Sequence, residues 1–210
     1  MSAKSVPGNA ERRRAIIAAA RRAFLRQGYG NTSMSAIAAA IGGSKTTLWS
    51  YFKNKNELFD AVVDDMIDQY GEALRFPLLP DDDPRATLEA YAVSVLTTIT
   101  RPQVVALHRI ITGEASRFPQ LGAAMEEKAI LRAHERVAEW LETQIAAGRI
   151  DALDPHLLAR QFGALCQGGE FHRYVIGARS RPSTEVIAAE AAQITDMFLR
   201  AYGRGGRAAS

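Results

Sequence analysis

Residues 32–57 read TSMSAIAAAIGGSKTTLWSYFKNKNE, and this stretch decides the fold of the first part of the chain. Gly42 interrupts a run of helix-forming alanines, and Ser44 stands where it would cap the helix that follows. Ala38, Gly42 and Leu48 are separated by four and then six residues. They supply the small residue at the helix crossing, the turn glycine and the inward aliphatic side chain of a helix-turn-helix. The spacing therefore predicts that motif.

Two more helices are expected beside the motif. The first runs from about Ala10 to Gln27 with an apolar face around Ile16 and Phe24, and Gly28 is placed to end it in a left-handed conformation. Thr32 or Ser33 then caps the first helix of the motif. On the other side, Asn54 with Glu57 reads as a capping box for a fourth helix, which is expected to run to about Arg75.

The charge of the chain changes sign along its length. Residues 1–55 hold ten Lys and Arg against one acidic residue, a net charge of +9. Residues 56–210 hold sixteen against twenty-two, a net charge of −6. This asymmetry favours a polyanionic partner for the N-terminal part, although a merely solvated basic helix is the alternative.

Composition favours an all-α protein, because the chain is 47% hydrophobic but only 8% aromatic and has few alternating Val/Ile/Thr segments. Prolines near the helix starts divide the remainder into further helices, about nine in all. These run roughly over residues 84–100, 102–117, 119–147, 155–177 and 182–202. The lone cysteine, Cys166, and the absence of an apolar N-terminal stretch favour a cytoplasmic protein that does not enter the membrane.

The run Gly43-Ser-Lys-Thr-Thr-Leu-Trp-Ser-Tyr-Phe52 has a specific resemblance. With Lys55 and Glu57-Leu-Phe59 after it, and Ala23-Phe24, Gly28-Tyr29 and Thr32-Ser33 before it, it resembles the DNA-binding domain of the tetracycline-repressor (TetR) family. The chain departs from the family's usual residues at Gly43, Trp49 and Asn54. Each departure keeps the required chemistry, since Trp retains an aromatic plane and one donor and Asn caps as well as Ser.

The resemblance implies a three-helix helix-turn-helix domain over residues 10–56 and a C-terminal domain over residues 57–203. A linking helix joins the first to a helical effector-binding and dimerisation bundle. The implied function is that of a homodimeric transcription regulator, expected to be a repressor that leaves double-stranded operator DNA when a small-molecule effector binds. No cofactor or metal is expected.

Candidate DNA contacts lie on the two helices of the motif and at their ends. Near the start of the second helix, Lys45, Thr46 and Thr47 are expected at base edges, because Lys donates to guanine and the Thr methyl group contacts thymine. The other candidate residues are expected to contact phosphates and so to fix the position of the protein along the DNA. The full set is Thr32, Ser33, Ser44, Lys45, Thr46, Thr47, Trp49, Tyr51 and Lys55.

Two further sets come from the C-terminal helices. Large or soft apolar residues on central helices, with one histidine, are candidates for an effector pocket, although ordinary core is the alternative for each. They are Leu107, His108, Ile111, Phe118, Met125, Trp140, Phe162, Cys166, Phe171 and Tyr174. Arg109, Glu114 and His172 are further polar candidates to orient a ligand. Apolar stripes on the last two long helices are candidates for the dimer interface: Gln161, Leu165, Gly168, Gly169, Ile194, Met197 and Phe198.

Two rival functional classes are an enzyme and a nonspecific DNA-binding module. An enzyme is disfavoured because the four histidines form no metal-ligand pair at helical spacing and no glycine-rich loop follows a strand. An architectural or protein-interaction module that binds DNA nonspecifically predicts the same charge split. It differs in showing no preference between an operator and random DNA.

Overall fold

A computed structural model describes residues 8–42 and 45–204, with the side chain of Lys45 left out. Within these residues the secondary structure is helical, without a β-strand, and the only sheet-like pairing is an isolated bridge between Ile150 and Gly203. The α-helices are Asn9–Gln27 (α1), Met34–Ala40 (α2), Lys45–Tyr51 (α3), Lys55–Tyr70 (α4), Pro84–Ile99 (α5), Pro102–Glu114 (α6), Gln120–Met125 (α7), Leu131–Ala146 (α8), Pro155–Gly168 (α9), Glu170–Val175 (α10) and Thr184–Tyr202 (α11). A 3-10 turn spans Glu72–Arg75 and a π-helical turn spans Glu126–Ile130.

The all-α prediction is confirmed, and two predicted helices are subdivided. The run from residue 119 to 147 forms α7, the π-helical turn and α8. The run from 155 to 177 breaks at Gly169, whose φ of −103° and ψ of −119° are not helical. There the Glu190 carboxylate accepts a hydrogen bond from the backbone N–H of Glu170 at 2.8 Å and so satisfies the start of α10.

The helix ends follow the chemistry expected of their residues. Gly28 ends α1 at a φ of +82°, and the Ser33 hydroxyl accepts from the N–H of Ala36 at the start of α2. Asn54 Oδ1 accepts from the N–H of Glu57 at 2.8 Å, so the predicted cap of α4 is present. The fourth helix ends at Tyr70, five residues before the predicted end, because the chain turns at Gly71 into the 3-10 turn.

The described chain divides into two compact units. The N-terminal unit contains residues 8–69, apart from the two that are not described, and residues 106–125. The C-terminal unit contains residues 70–105 and 126–204. The first unit therefore combines α1 to α4 with a segment that lies far along the sequence.

Four aromatic rings form the centre of the N-terminal unit. The Tyr29 ring centroid lies 5.5 Å from that of Phe24, 5.4 Å from that of Phe59 and 5.0 Å from that of Phe118. Such edge and tilted pairs stabilise a core beyond the area that they bury. Because Phe59 belongs to α4 and Phe118 follows α6, this cluster explains why both segments belong to the same unit as α1.

The C-terminal unit is built from two helix pairs, since α5 packs on α11 and α8 packs on α9. Its core contains Leu88, Trp140, Phe162, Cys166 and Phe198, each at most 3% exposed. Cys166 is therefore a buried thiol. None of the described helices has the length and apolar character to cross a membrane.

Candidate nucleic-acid interface

The helix-turn-helix predicted from residues 38, 42 and 48 is present. Ala38 is 2% exposed and Leu48 is fully buried, so the facing sides of α2 and α3 form a closed apolar contact. Gly42 has a φ of +65°, and nothing lies within 4 Å of where its Cβ would be. The turn therefore needs glycine for its left-handed backbone and not for space.

The outer face of α3 is polar and aromatic. Thr46 and Ser50 are exposed, Tyr51 is half-buried, and Trp49 retains 48% of its surface although tryptophan is usually well buried. The inner face anchors the helix through Leu48 and the adjoining Phe52. A short helix held on one side and open on the other has the shape that enters a major groove.

The remaining predicted residues of α3 are less open or lie outside the described residues. Thr47 is half-buried, and its carbonyl accepts from the Ser50 hydroxyl at 2.8 Å. Ser44 falls outside the described residues, as does the side chain of Lys45. Their contribution stays a prediction from the sequence.

Thr32 and Lys55 are engaged within the unit itself. Thr32 is 1% exposed, and its hydroxyl donates to the carbonyl of Gly28 at 2.7 Å. The Lys55 ammonium donates to the carbonyls of Tyr29 at 2.8 Å and Thr32 at 3.0 Å, and it lies 4.2 Å from the centroid of the Tyr29 ring. Both residues therefore hold the connection between α1 and α2.

A carboxylate from residues 106–125 binds the same connection between α1 and α2. Glu114 accepts hydrogen bonds from the backbone N–H groups of Tyr29 at 2.7 Å and Gly30 at 2.6 Å. Gly28 and Gly30 make this approach possible, since a Cβ on either would lie 2.7 Å from a carboxylate oxygen. Burial lowers the pKa of the Lys55 ammonium, and the charge of Glu114 acts in the opposite direction.

No sequence pattern connects Glu114 with this turn. From the sequence, Glu114 is a candidate only to orient a ligand, and 84 positions separate it from Gly30. The sequence signal for this contact is the pair of glycines flanking Tyr29, because glycine allows another group to approach the backbone closely. Sequence alone does not identify that group.

The predicted effector-binding residues divide equally between the two units. Leu107, His108, Ile111, Phe118 and Met125 belong to the N-terminal unit, where Phe118 packs on Tyr29. Trp140, Phe162, Cys166, Phe171 and Tyr174 belong to the C-terminal unit, where the first three lie in the core. Burial lowers the pKa of His108 below its usual value.

The predicted dimer residues converge on a single groove of the C-terminal unit. This groove has a volume of about 700 Å³ and runs between α9 and α11. It is lined by all seven: Gln161, Leu165, Gly168, Gly169, Ile194, Met197 and Phe198. Met197 keeps 52% of its surface, whereas Ile194 and Phe198 are nearly buried and form the floor.

Two family models match the chain. The one described as "Bacterial regulatory proteins, tetR family" matches residues 16–62, and the one described as "AefR-like transcriptional repressor, C-terminal domain" matches residues 86–204. Among curated proteins, the HTH-type transcriptional regulator AcrR of Shigella flexneri is 25% identical over 172 residues, covering 80% of this chain and 79% of its own. The nucleoid occlusion factor SlmA of Klebsiella pneumoniae is 28% identical over 137 residues, covering 63% and 67%.

Solved structures of other proteins are similar to this one over nearly the whole chain. The flavonoid-responsive regulator FrrA has 32% identity and a TM-score of 0.80, covering 93% of this chain and 98% of its own. A structure from Mesorhizobium loti, assigned to TetR-family transcriptional regulators, has 28% identity and a TM-score of 0.79, covering 94% of this chain and 100% of its own. The likeness therefore extends through both units.

Proposed function

This chain belongs to the TetR family of bacterial DNA-binding transcriptional regulators, and on that premise we propose that it is a homodimeric repressor released from its operator by a small-molecule effector. The observation that carries the proposal is the outer face of α3. Thr46 and Trp49 are exposed there on a helix whose other face is fixed by Leu48. Such a face reads bases without disturbing the core beneath it.

The proposed contacts divide by chemistry. Lys45, Thr46 and Thr47 read base edges from the start of α3, whereas Trp49 and Tyr51 contact phosphate oxygens. Ser33 and Ser44, at the starts of α2 and α3, add phosphate contacts. Thr32 and Lys55 stay in the binding unit, but their hydrogen bonds inside it favour a supporting role over direct contact.

Dimerisation is proposed through the groove between α9 and α11. One short recognition helix reads too few bases to find a site in a genome, so two copies are needed on a two-fold symmetric site. The exposed Met197 beside the small residues Gly168 and Gly169 gives the groove a self-complementary apolar surface. Because the proposed partner is chromosomal DNA, the cytoplasm is the proposed location.

The effector is proposed to be a small, largely apolar molecule bound by residues from the predicted set. The AefR-like repressor match over residues 86–204 supports repression. FrrA, named as flavonoid-responsive, supports a small organic molecule as the effector. Because coupling is reciprocal, an effector that weakens DNA binding must itself be bound more weakly when DNA is present.

Nonspecific binding to the chromosome is the alternative function. The similarity to SlmA, named as a nucleoid occlusion factor, is the observation that favours it. In that case the basic N-terminal segment binds phosphates and α3 carries no preference for particular bases.

Selection from a pool of random-sequence duplexes tests the proposal. Duplexes of about 30 base pairs are long enough for two half-sites one helical turn apart. After several rounds with the wild-type protein, we expect enrichment of inverted half-sites whose centres are about 34 to 36 Å apart. A pool without an enriched motif would contradict sequence-specific regulation. The duplex that carries this enriched sequence is the selected duplex.

A further inference from the structure

The connection between α1 and α2 is held by opposite charges on two sides. On one side the Glu114 carboxylate accepts from the N–H groups of Tyr29 and Gly30. On the other side the Lys55 ammonium donates to the carbonyls of Tyr29 and Thr32. Hydrogen bonds to a charged group are shorter and stronger than neutral ones, so the backbone of residues 29–32 is tightly determined.

This connection leads directly into the proposed DNA surface. Ser33 follows it and caps α2 through the N–H of Ala36. The direction in which α2 starts therefore depends on the backbone of residues 29–32, and α3 packs on α2. A shift in the connection would move both helices of the motif together.

We propose that Glu114 is a positioning residue for DNA binding, acting through the backbone of Tyr29 and Gly30. Residues 106–125 thus complete the DNA-binding unit, although they follow α5 in the sequence. Phe118 contacts the Tyr29 ring, and Gln120 donates to Asn56 Oδ1 at 3.2 Å, so the same segment supports the unit at two more points. This inference rests on the proposed function.

Because Glu114 is negatively charged, a simple charge effect and a positioning role predict opposite changes in DNA affinity when the charge is removed. Removing a negative charge from a DNA-binding unit should strengthen binding if only long-range attraction matters. Removing a positioning group should weaken it. Glu114→Gln is expected to weaken affinity for the selected duplex about fivefold or more. Asp68→Asn, which neutralises an exposed carboxylate on α4, is the matched control and should leave the affinity unchanged or slightly tighter.

A second variant displaces the Glu114 carboxylate by a change in the backbone that it binds. A Cβ at Gly30 would lie 2.7 Å from Glu114 Oε2 and 3.2 Å from Phe118 Cε2, so Gly30→Ala should weaken DNA binding in the same way. Gly113→Ala is its control, because nothing lies within 4 Å of that position on the helix that carries Glu114. If one test variant does not fold, the other still decides.

Amide hydrogen exchange supplies a readout that is independent of DNA. In Glu114→Gln and Gly30→Ala, faster exchange is expected at Tyr29, Gly30 and the start of α2, while the core of the C-terminal unit keeps its protection. Affinity equal to or tighter than wild type in Glu114→Gln would overturn the proposal. So would weakened binding with unchanged exchange at residues 29–33. If the wild-type protein selects no duplex, the proposed function fails first and the positioning role fails with it.

Discussion

The carboxamide of Gln144 donates a hydrogen bond to the carbonyl oxygen of Pro80 at 2.9 Å, and Gln144 is fully buried. Two residues at helical spacing before it on α8 do the same. The Trp140 indole donates to the carbonyl of Leu79 at 3.0 Å, and Arg136 donates to that of Phe76 at 2.5 Å. One face of α8 thus supplies donors to backbone carbonyls of the loop before α5. This loop lacks the regular backbone hydrogen bonds of a helix or sheet.

Replacement of Gln144 by leucine should destabilise the protein. The substitution keeps the approximate volume but removes both the buried donor to the Pro80 carbonyl and the oxygen that accepts from Arg149, so a loss of about 1 to 3 kcal/mol in the free energy of unfolding is expected. Urea unfolding measures it. Glu142→Gln on the exposed side of the same helix is the control and should change stability by less than about 0.5 kcal/mol. Equal stability of the two variants would contradict the role of the buried donor.

Lys45→Ala should weaken binding to the selected duplex without changing the fold. A side chain bidentate to a guanine contributes about 1 to 3 kcal/mol to binding. Fluorescence anisotropy gives the affinity, and circular dichroism checks the helix content. Arg179→Ala removes an exposed cation from the C-terminal unit and should leave affinity unchanged. Equal losses in the two variants would point to overall charge instead of a contact made by α3.

Affinity should fall steeply as salt rises. Each neutralised phosphate contributes about −0.9 to the slope of log affinity against log salt concentration, and two copies with several contacts each give a slope steeper than about −4. Anisotropy titrations between low and physiological salt measure it. A nearly flat dependence would remove DNA phosphates as the partner of the basic N-terminal segment.

Stability should decline at alkaline pH because of Cys166. Burial raises the pKa of its thiol from 9.0 to about 12. Below pH 9 the thiol is neutral in the folded and in the unfolded state, so its contribution to the free energy of unfolding is complete. As the pH rises toward 12, the unfolded chain loses this proton before the folded protein does, so the contribution is progressively lost. Burial raises the pKa of Tyr91 to about 12, and its effect has the same sign.

Urea unfolding in steps upward from about pH 9, the usual thiol pKa, measures this decline. Cys166→Ala should be less stable throughout because it leaves a cavity, but its stability should fall less steeply with pH. Parallel curves for wild type and variant would show that the thiol does not contribute. The buried thiol should also resist alkylation until the protein unfolds.

A charge in the groove between α9 and α11 should separate the two copies. Met197→Glu places a carboxylate where the dimer would bury it, and the dimer dissociation constant is expected to rise about a hundredfold or more. Sedimentation equilibrium measures it. Val186→Glu is the matched control, since Val186 is exposed on the same helix and does not line the groove. Met197→Glu sedimenting as wild type does would place the interface elsewhere.

Local chemistry made much of the fold predictable. The helix-turn-helix followed from Ala38, Gly42 and Leu48, because its crossing and turn impose requirements on single residues close in sequence. The caps at Ser33 and Asn54 followed from side-chain oxygens acting over three residues. The break at Gly169 was missed, since the group that stabilises it, Glu190, belongs to another helix.

The candidate site was less predictable than the motif. Position on α3 identified Thr46 and Trp49 as outward residues, because helical periodicity sets the face once Leu48 faces inward. Periodicity does not reveal that Lys55 points to the carbonyls of Tyr29 and Thr32, nor that Glu114 grips the same turn. Those contacts join residues that pack together only after the chain has folded.

The preference of the protein for its selected duplex over a shuffled duplex of the same composition tests the central claim most directly. Anisotropy titrations of both duplexes with wild type and with the Lys45→Ala/Thr46→Ala double variant, which lacks two of the proposed base contacts, give four affinities at one salt concentration. We predict that wild type binds the selected duplex about a thousandfold more tightly, and that the double variant loses most of this preference while still binding the shuffled duplex. Equal wild-type affinities for the two duplexes, or an undiminished preference in the double variant, would contradict sequence recognition by α3.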